Sequence, residues 1–137
     1  MVKIVSSIVI VLLWIAYAIL EGKREAYYYD SQMRSDITHK NIHWIYFIQR
    51  GIVILMVSLA MHSILLPITL IAVFSLFHDG FYYIERNKID ARIYPKRFRD
   101  ESNKSTAYFE FTFADRVAFC IGGLISFTAY ILLLIFC

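Results

Sequence analysis

Cysteine is scarce in this 137-residue chain: Cys120 and Cys137 are the only two, and they form no CxxC or other closely spaced pair. That argues against a disulfide scaffold and against a zinc ribbon. Several catalytic signatures are missing as well. There is no G-x-S-x-G elbow and no cysteine beside a histidine, which leaves nucleophilic catalysis without a motif. A P-loop and a dinucleotide fingerprint are absent, and so are HExxH and the Glu-x-x-His pair of ferritin-like bundles. Neither a recognition-helix pattern nor an RNP-like motif is present, so nucleic acid is not an expected partner.

The most informative absence is that of charge over long stretches. Residues 4–20 (IVSSIVIVLLWIAYAIL) carry none. From Ile42 to Ile84 the only fully charged side chains are Arg50 and Asp79. From about Ala114 to Cys137 the run is interrupted only by Asp115 and Arg116 at its start. Hydrophobic residues make up 59% of the chain, well above the share in an ordinary soluble domain, and the mean hydropathy is +0.58. The excess must face lipid.

A helix rising 1.5 Å per residue needs roughly 20 apolar residues to cross a hydrocarbon core of about 30 Å. The first run supplies one span, about 4–22. Lys3 and Ala16-Tyr17-Ala18 imitate a signal peptide, but Ile19 and Leu20 carry the apolar run past the cleavage-like site, which favours a retained span. The run from Ile42 to Ile84 is about twice the length of one crossing and reads as a helical hairpin. Its turn is expected in residues 62–67, because Pro67 suits the first turn of a helix. The second and third spans are then about 42–62 and 67–86, and the fourth about 114–137. Aromatic residues cluster where these runs give way to charge, among them Trp44, Tyr46, Tyr82 and Tyr83, as in an interfacial belt.

The expected fold is therefore all-α: a polytopic bundle of four transmembrane helices in one domain, with a short outer turn and one longer cytoplasmic loop. Lys23, Arg24, Arg34 and Lys40 lie in the loop of about 23–41. Arg86, Lys88, Arg92, Lys96, Arg97, Arg99 and Lys104 lie in or beside that of about 87–113. An even span count puts both loops on one side, and the positive-inside bias makes it the cytoplasm, with both termini outside. In the second loop, Ile93, Tyr94, Pro95, Phe98, Tyr108, Phe109 and Phe111 among basic residues suggest a stretch lying along anionic headgroups, so membrane lipid is the expected partner. Ala118, Gly122 and Ser126 recur every fourth residue, a spacing that permits close helix packing within the monomer or between copies.

Most residues capable of chemistry lie at the charged ends of the spans. Glu21 and Glu25 are four apart and share a helical face, as do His39 and His43, with Arg50 two turns deeper. His78 and Asp79 approach the end of the third span. An ionisable group in a span costs roughly 2.5 kcal/mol or more at the bilayer centre and less near its edge, so Arg50 and Asp79 need partners or water, and each is a candidate partner for the other. Glu21, Glu25, His43, Arg50, His78, Asp79 and Asp115 are expected to meet in one edge pocket.

Three imidazoles and several carboxylates form a ligand set for zinc, iron or manganese. His39, His43, His78 and Asp79 are the candidate ligands. Glu21, Glu25 and Asp79 are candidate ligands or proton-transfer groups, and Arg50 a candidate anion clamp. Four histidines are too few for the several clusters of membrane desaturases and hydroxylases. The working expectation is a metal-dependent membrane enzyme acting on a lipid-like or amphiphilic substrate. Its rivals are a non-catalytic assembly protein, self-associating through the small-residue face, and a small channel, transporter or holin-like protein whose Glu21, Arg50 and Asp79 line a wet path.

Overall fold

The computed structural model describes residues 2–33, 40–100 and 111–136. Four α-helices account for nearly all of them: α1 (Val2–Met33), α2 (Lys40–Met61), α3 (Leu65–Ile89) and α4 (Phe113–Phe136). Three stretches are long and apolar enough to cross a membrane: Val2–Tyr28, Leu65–Ile89 and Phe113–Phe136. The apolar stretch of α2, Tyr46–Met61, is shorter. Helix α1 outlasts its apolar run, so residues 23–33, expected as loop, continue the helix.

The α2–α3 turn falls close to where proline predicts it. His62 takes a left-handed conformation (φ 50°). Ser63 Oγ accepts a hydrogen bond from the Leu65 N–H at 3.2 Å, and Pro67 occupies the first turn of α3, where its missing N–H costs nothing.

Helix α3 is the hub. It packs extensively on α1 and α4 and less on α2, whereas α1 and α4 meet only briefly. Its two main neighbours present seams with a spacing alternating between three and four residues. On α1 the seam runs through Ser7, Val11, Trp14, Ala18, Glu21 and Glu25, with Gly22 and Ala26 also buried beside its last turns; on α4 it runs through Arg116, Cys120, Gly123 and Tyr130, with Phe127 partly covered. This 3.5-residue repeat is the signature of helices packing at a shallow angle. Leu66, Leu70 and Val73 of α3 fill the space between the seams. Trp14 Nε1 donates to the Leu70 carbonyl at 2.8 Å, and Ser7 Oγ lies 3.2 Å from the Tyr130 hydroxyl.

The small residues of α4 divide between two faces. Gly123 packs on α3, where an added Cβ would meet Ala72 Cβ at 2.9 Å and the Thr69 carbonyl at 3.2 Å, and Ser126 Oγ donates to the Leu65 carbonyl. Gly122 and Ala118 are exposed, and a Cβ at Gly122 would meet nothing within 4 Å. Gly123→Leu should therefore destabilise the bundle by about 1–3 kcal/mol, whereas Gly122→Leu should stay within about 0.5 kcal/mol. Paired melts in detergent check the difference; equal effects would contradict this packing.

Beyond α3 the chain folds back onto the bundle. Asp90 Oδ1 accepts from the backbone N–H of Arg92 at 2.9 Å and starts a turn. Tyr94 donates its hydroxyl to Asp30 on α1, and the Arg86 guanidinium stacks on its ring at 3.8 Å. Phe98 fits against Gly80, where any Cβ would collide with its ring, and makes edge contacts with Phe81 and Phe113. The buried Arg116 fastens this segment by donating Nη2 to the carbonyls of Phe98 (3.0 Å) and Asp100 (2.6 Å). Tyr94 and Phe98, expected among headgroups, thus pack on protein, while Ile93 stays exposed. Tyr108 and Phe109 lie outside the described residues.

Candidate functional site at the charged end of the bundle

The α1 seam is apolar from Val11 to Ala18 and then turns acidic without changing register. Glu21 and Glu25 occupy the next two buried positions and so point into the bundle, with side chains only 2% and 6% exposed. Gly22 makes this possible: a Cβ there would collide with the His78 carbonyl, so its absence lets α1 and α3 approach closely at the level of the cluster.

The cation between the carboxylates comes from α2. Arg50 Nε donates to Glu21 Oε2 at 3.0 Å and Nη2 donates to Glu25 Oε1 at 3.1 Å, one guanidinium bridging two acids. Its plane also lies over the Phe74 ring, 4.5 Å from the centroid, which adds a cation–π contact. His78 stands on the other side of Glu25. Its Nε2 is 3.3 Å from Glu25 Oε2, and its Nδ1 is 2.9 Å from Asp79 Oδ1. A neutral imidazole donates from one nitrogen and accepts at the other, so a ring held between two carboxylates is suited to relaying a proton. The His78 ring stacks on Phe74 at 4.9 Å, which fixes its orientation.

The structure thus brings together Glu21, Glu25, Arg50, His78 and Asp79. The candidate Arg50–Asp79 pairing is not what forms: Arg50 takes the two glutamates of α1, and Asp79 takes His78. Asp115, expected in the pocket, instead caps α4. Its Oδ2 accepts from the Thr112 N–H and hydroxyl, each at 2.8 Å, while its own N–H donates to Thr112 Oγ1, a reciprocal capping box. His39 lies outside the described residues, and so does the side chain of His43. Among the described residues no group of three or more His, Cys, Asp or Glu is arranged to hold a metal ion. Glu21 and Glu25 are bridged by the Arg50 guanidinium.

Two further features lie near the cluster. Glu85, seven residues or about two turns after His78 on α3 and 7% exposed, gathers Lys88 (3.0 Å), Lys23 (3.6 Å) and the Tyr27 hydroxyl into a second ionic group. The other is a groove. Helices α1 and α2 stand apart over α3, leaving an open cleft of about 710 Å³. Leu13, Trp14, Val53, Val57 and Leu70 form its apolar body, and Tyr17, Arg24 and Gln49 its polar end. Tyr17, Glu21 and Arg24 follow one another at i, i+4 and i+7 on α1, so the polar end of the groove adjoins the ionic cluster. Compared with known protein families, curated proteins and solved structures, the chain matches none.

Proposed function

We propose that this is a four-span membrane protein that takes a lipid-like amphiphile laterally into the α1–α2 groove and holds its head beside the Glu21–Glu25–Arg50–His78 cluster, at the cytoplasmic edge. The observation that carries this reading is the continuity of groove and cluster. From Ile10 to Arg24 the helix rises roughly 21 Å, enough for the acyl region of one leaflet, about half of a 30 Å core, plus a head at the interface. A volume of about 710 Å³ lies within the range of ligand sites, and the mix of apolar walls with a few convergent polar groups is typical of them.

Helix α2 is the fourth span in this reading. Its 22 residues rise roughly 33 Å, although only Tyr46–Met61 is strongly apolar. The basic residues of α1's far end and of the segment after α3 then face the cytoplasm by the positive-inside bias. Acid–base chemistry is what the cluster offers a bound head: Glu25, His78 and Asp79 form a continuous proton-transfer route. Arg50 supplies the positive charge that balances Glu21 and Glu25.

Native mass spectrometry of protein extracted in mild detergent tests the proposal. The expected result is one amphiphile retained per chain after exchange into a second detergent. Delipidated protein that keeps its fold and takes up no lipid on titration would overturn it.

A further inference from the structure

At the polar end of the groove Arg24 forms a long ion pair with the buried Glu21 beside it, and the chemistry of that pair narrows the head that fits; this step rests on the amphiphile reading above. Glu21 is almost wholly enclosed, its side chain 2% exposed. Its Oε2 is held by Arg50, but its Oε1 has no hydrogen-bond partner. The Arg24 guanidinium lies 3.6 Å from Oε1, beyond good hydrogen-bond range. Arg24 itself is 60% exposed, lies over the Tyr46 ring at 5.0 Å and lines the groove. At 3.6 Å and with the guanidinium largely in the open, this pair is weak enough for a better anion to compete for Arg24. Exchange of partners at Arg24 would leave Glu21 Oε1 to a donor on the same head.

A buried carboxylate oxygen without a close hydrogen-bond donor thus lies beside a largely exposed cation whose ion pair with it is long. The complementary head carries an anionic group and, a few ångströms away, a cationic N–H donor. We propose that the groove selects a zwitterionic aminophospholipid: its phosphate is bound by Arg24 and the Gln49 amide, and its ammonium donates to Glu21 Oε1. A choline head has the same charges but no N–H, so it leaves Oε1 unsatisfied. A glycerol head offers hydroxyl donors but leaves the phosphate charge without its own counter-ion.

Trp14 lines the groove and is one of only two tryptophans, so a Trp44→Phe background makes its fluorescence a reporter of whatever lies there. The protein is reconstituted in phosphatidylcholine vesicles containing a small, varied fraction of phospholipid brominated on its acyl chains. The brominated lipid carries an ethanolamine head with zero, one, two or three N-methyl groups. The expected result is saturable quenching of Trp14 whose half-point rises by about tenfold when the last N–H is lost, the factor of one charge-assisted hydrogen bond. Glu21→Gln should reduce that discrimination while quenching persists. Saturable quenching that is equal for all four heads in the Glu21 protein would overturn the head assignment and leave the groove occupied by lipid. Quenching that merely follows the bulk fraction of bromine for every head would overturn both this inference and the amphiphile reading beneath it.

Discussion

Arg50→Met should lower the stability of the bundle by about 3–5 kcal/mol, because it leaves two enclosed carboxylates without their shared cation. For a chain of this size that corresponds to a fall in melting midpoint of about 10 °C or more. Methionine retains much of the arginine's apolar stem, so the loss isolates the charge rather than the packing. The triple variant Arg50→Met/Glu21→Gln/Glu25→Gln should recover most of the loss, since neutral amides no longer demand a counter-charge. Arg50→Lys should fall between, as one ammonium cannot reproduce a planar fork that reaches Glu21 with Nε and Glu25 with Nη2. Melts of the four proteins in one detergent decide the matter. An Arg50→Met variant as stable as the parent would mean that the cluster does not hold α2 to α1.

The second large effect concerns the groove. Val53 faces it from α2 and is exposed there, so Val53→Trp adds an indole to open space rather than to a packed core. The fold should survive with little change in melting midpoint, while lipid retention through detergent exchange should fall by tenfold or more. The same substitution at Leu132 on the outer face of α4, also exposed, is the control and should retain lipid like the parent. Equal retention by all three proteins would show that lipid is held elsewhere than between α1 and α2.

These two substitutions also mark what could be read from the sequence. The long apolar runs, Pro67 and the apolar residues around it were enough for three membrane-length helices and the position of the α2–α3 turn. The members of the cluster were visible too, because an uncompensated charge in an apolar run stands out. Their pairing was not. Arg50 and Asp79 looked like partners as the two fully charged groups in one long run, but α2 stands off from its neighbours and its arginine reaches across the gap to α1. The clue lay in the α1 register: continuing Ser7, Val11, Trp14 and Ala18 by steps of three and four lands on Glu21 and Glu25, which marks both as seam residues. The segment after α3 was less legible. Aromatic residues among basic ones suit headgroups and suit cation–π stacking equally; here Arg86 stacks on the Tyr94 ring, and Arg116 binds the Phe98 carbonyl. The groove has no sequence signature, since it is a space that α1 and α2 leave between them.

The most direct test of the whole account is an experimental structure in lipid nanodiscs containing aminophospholipid. Elongated density is expected between Trp14 and Val53, ending in a head within hydrogen-bond distance of Arg24 and Glu21. Helices α1 and α2 closed against each other, with Val53 packed on Leu13 and no room for a chain between them, would contradict it.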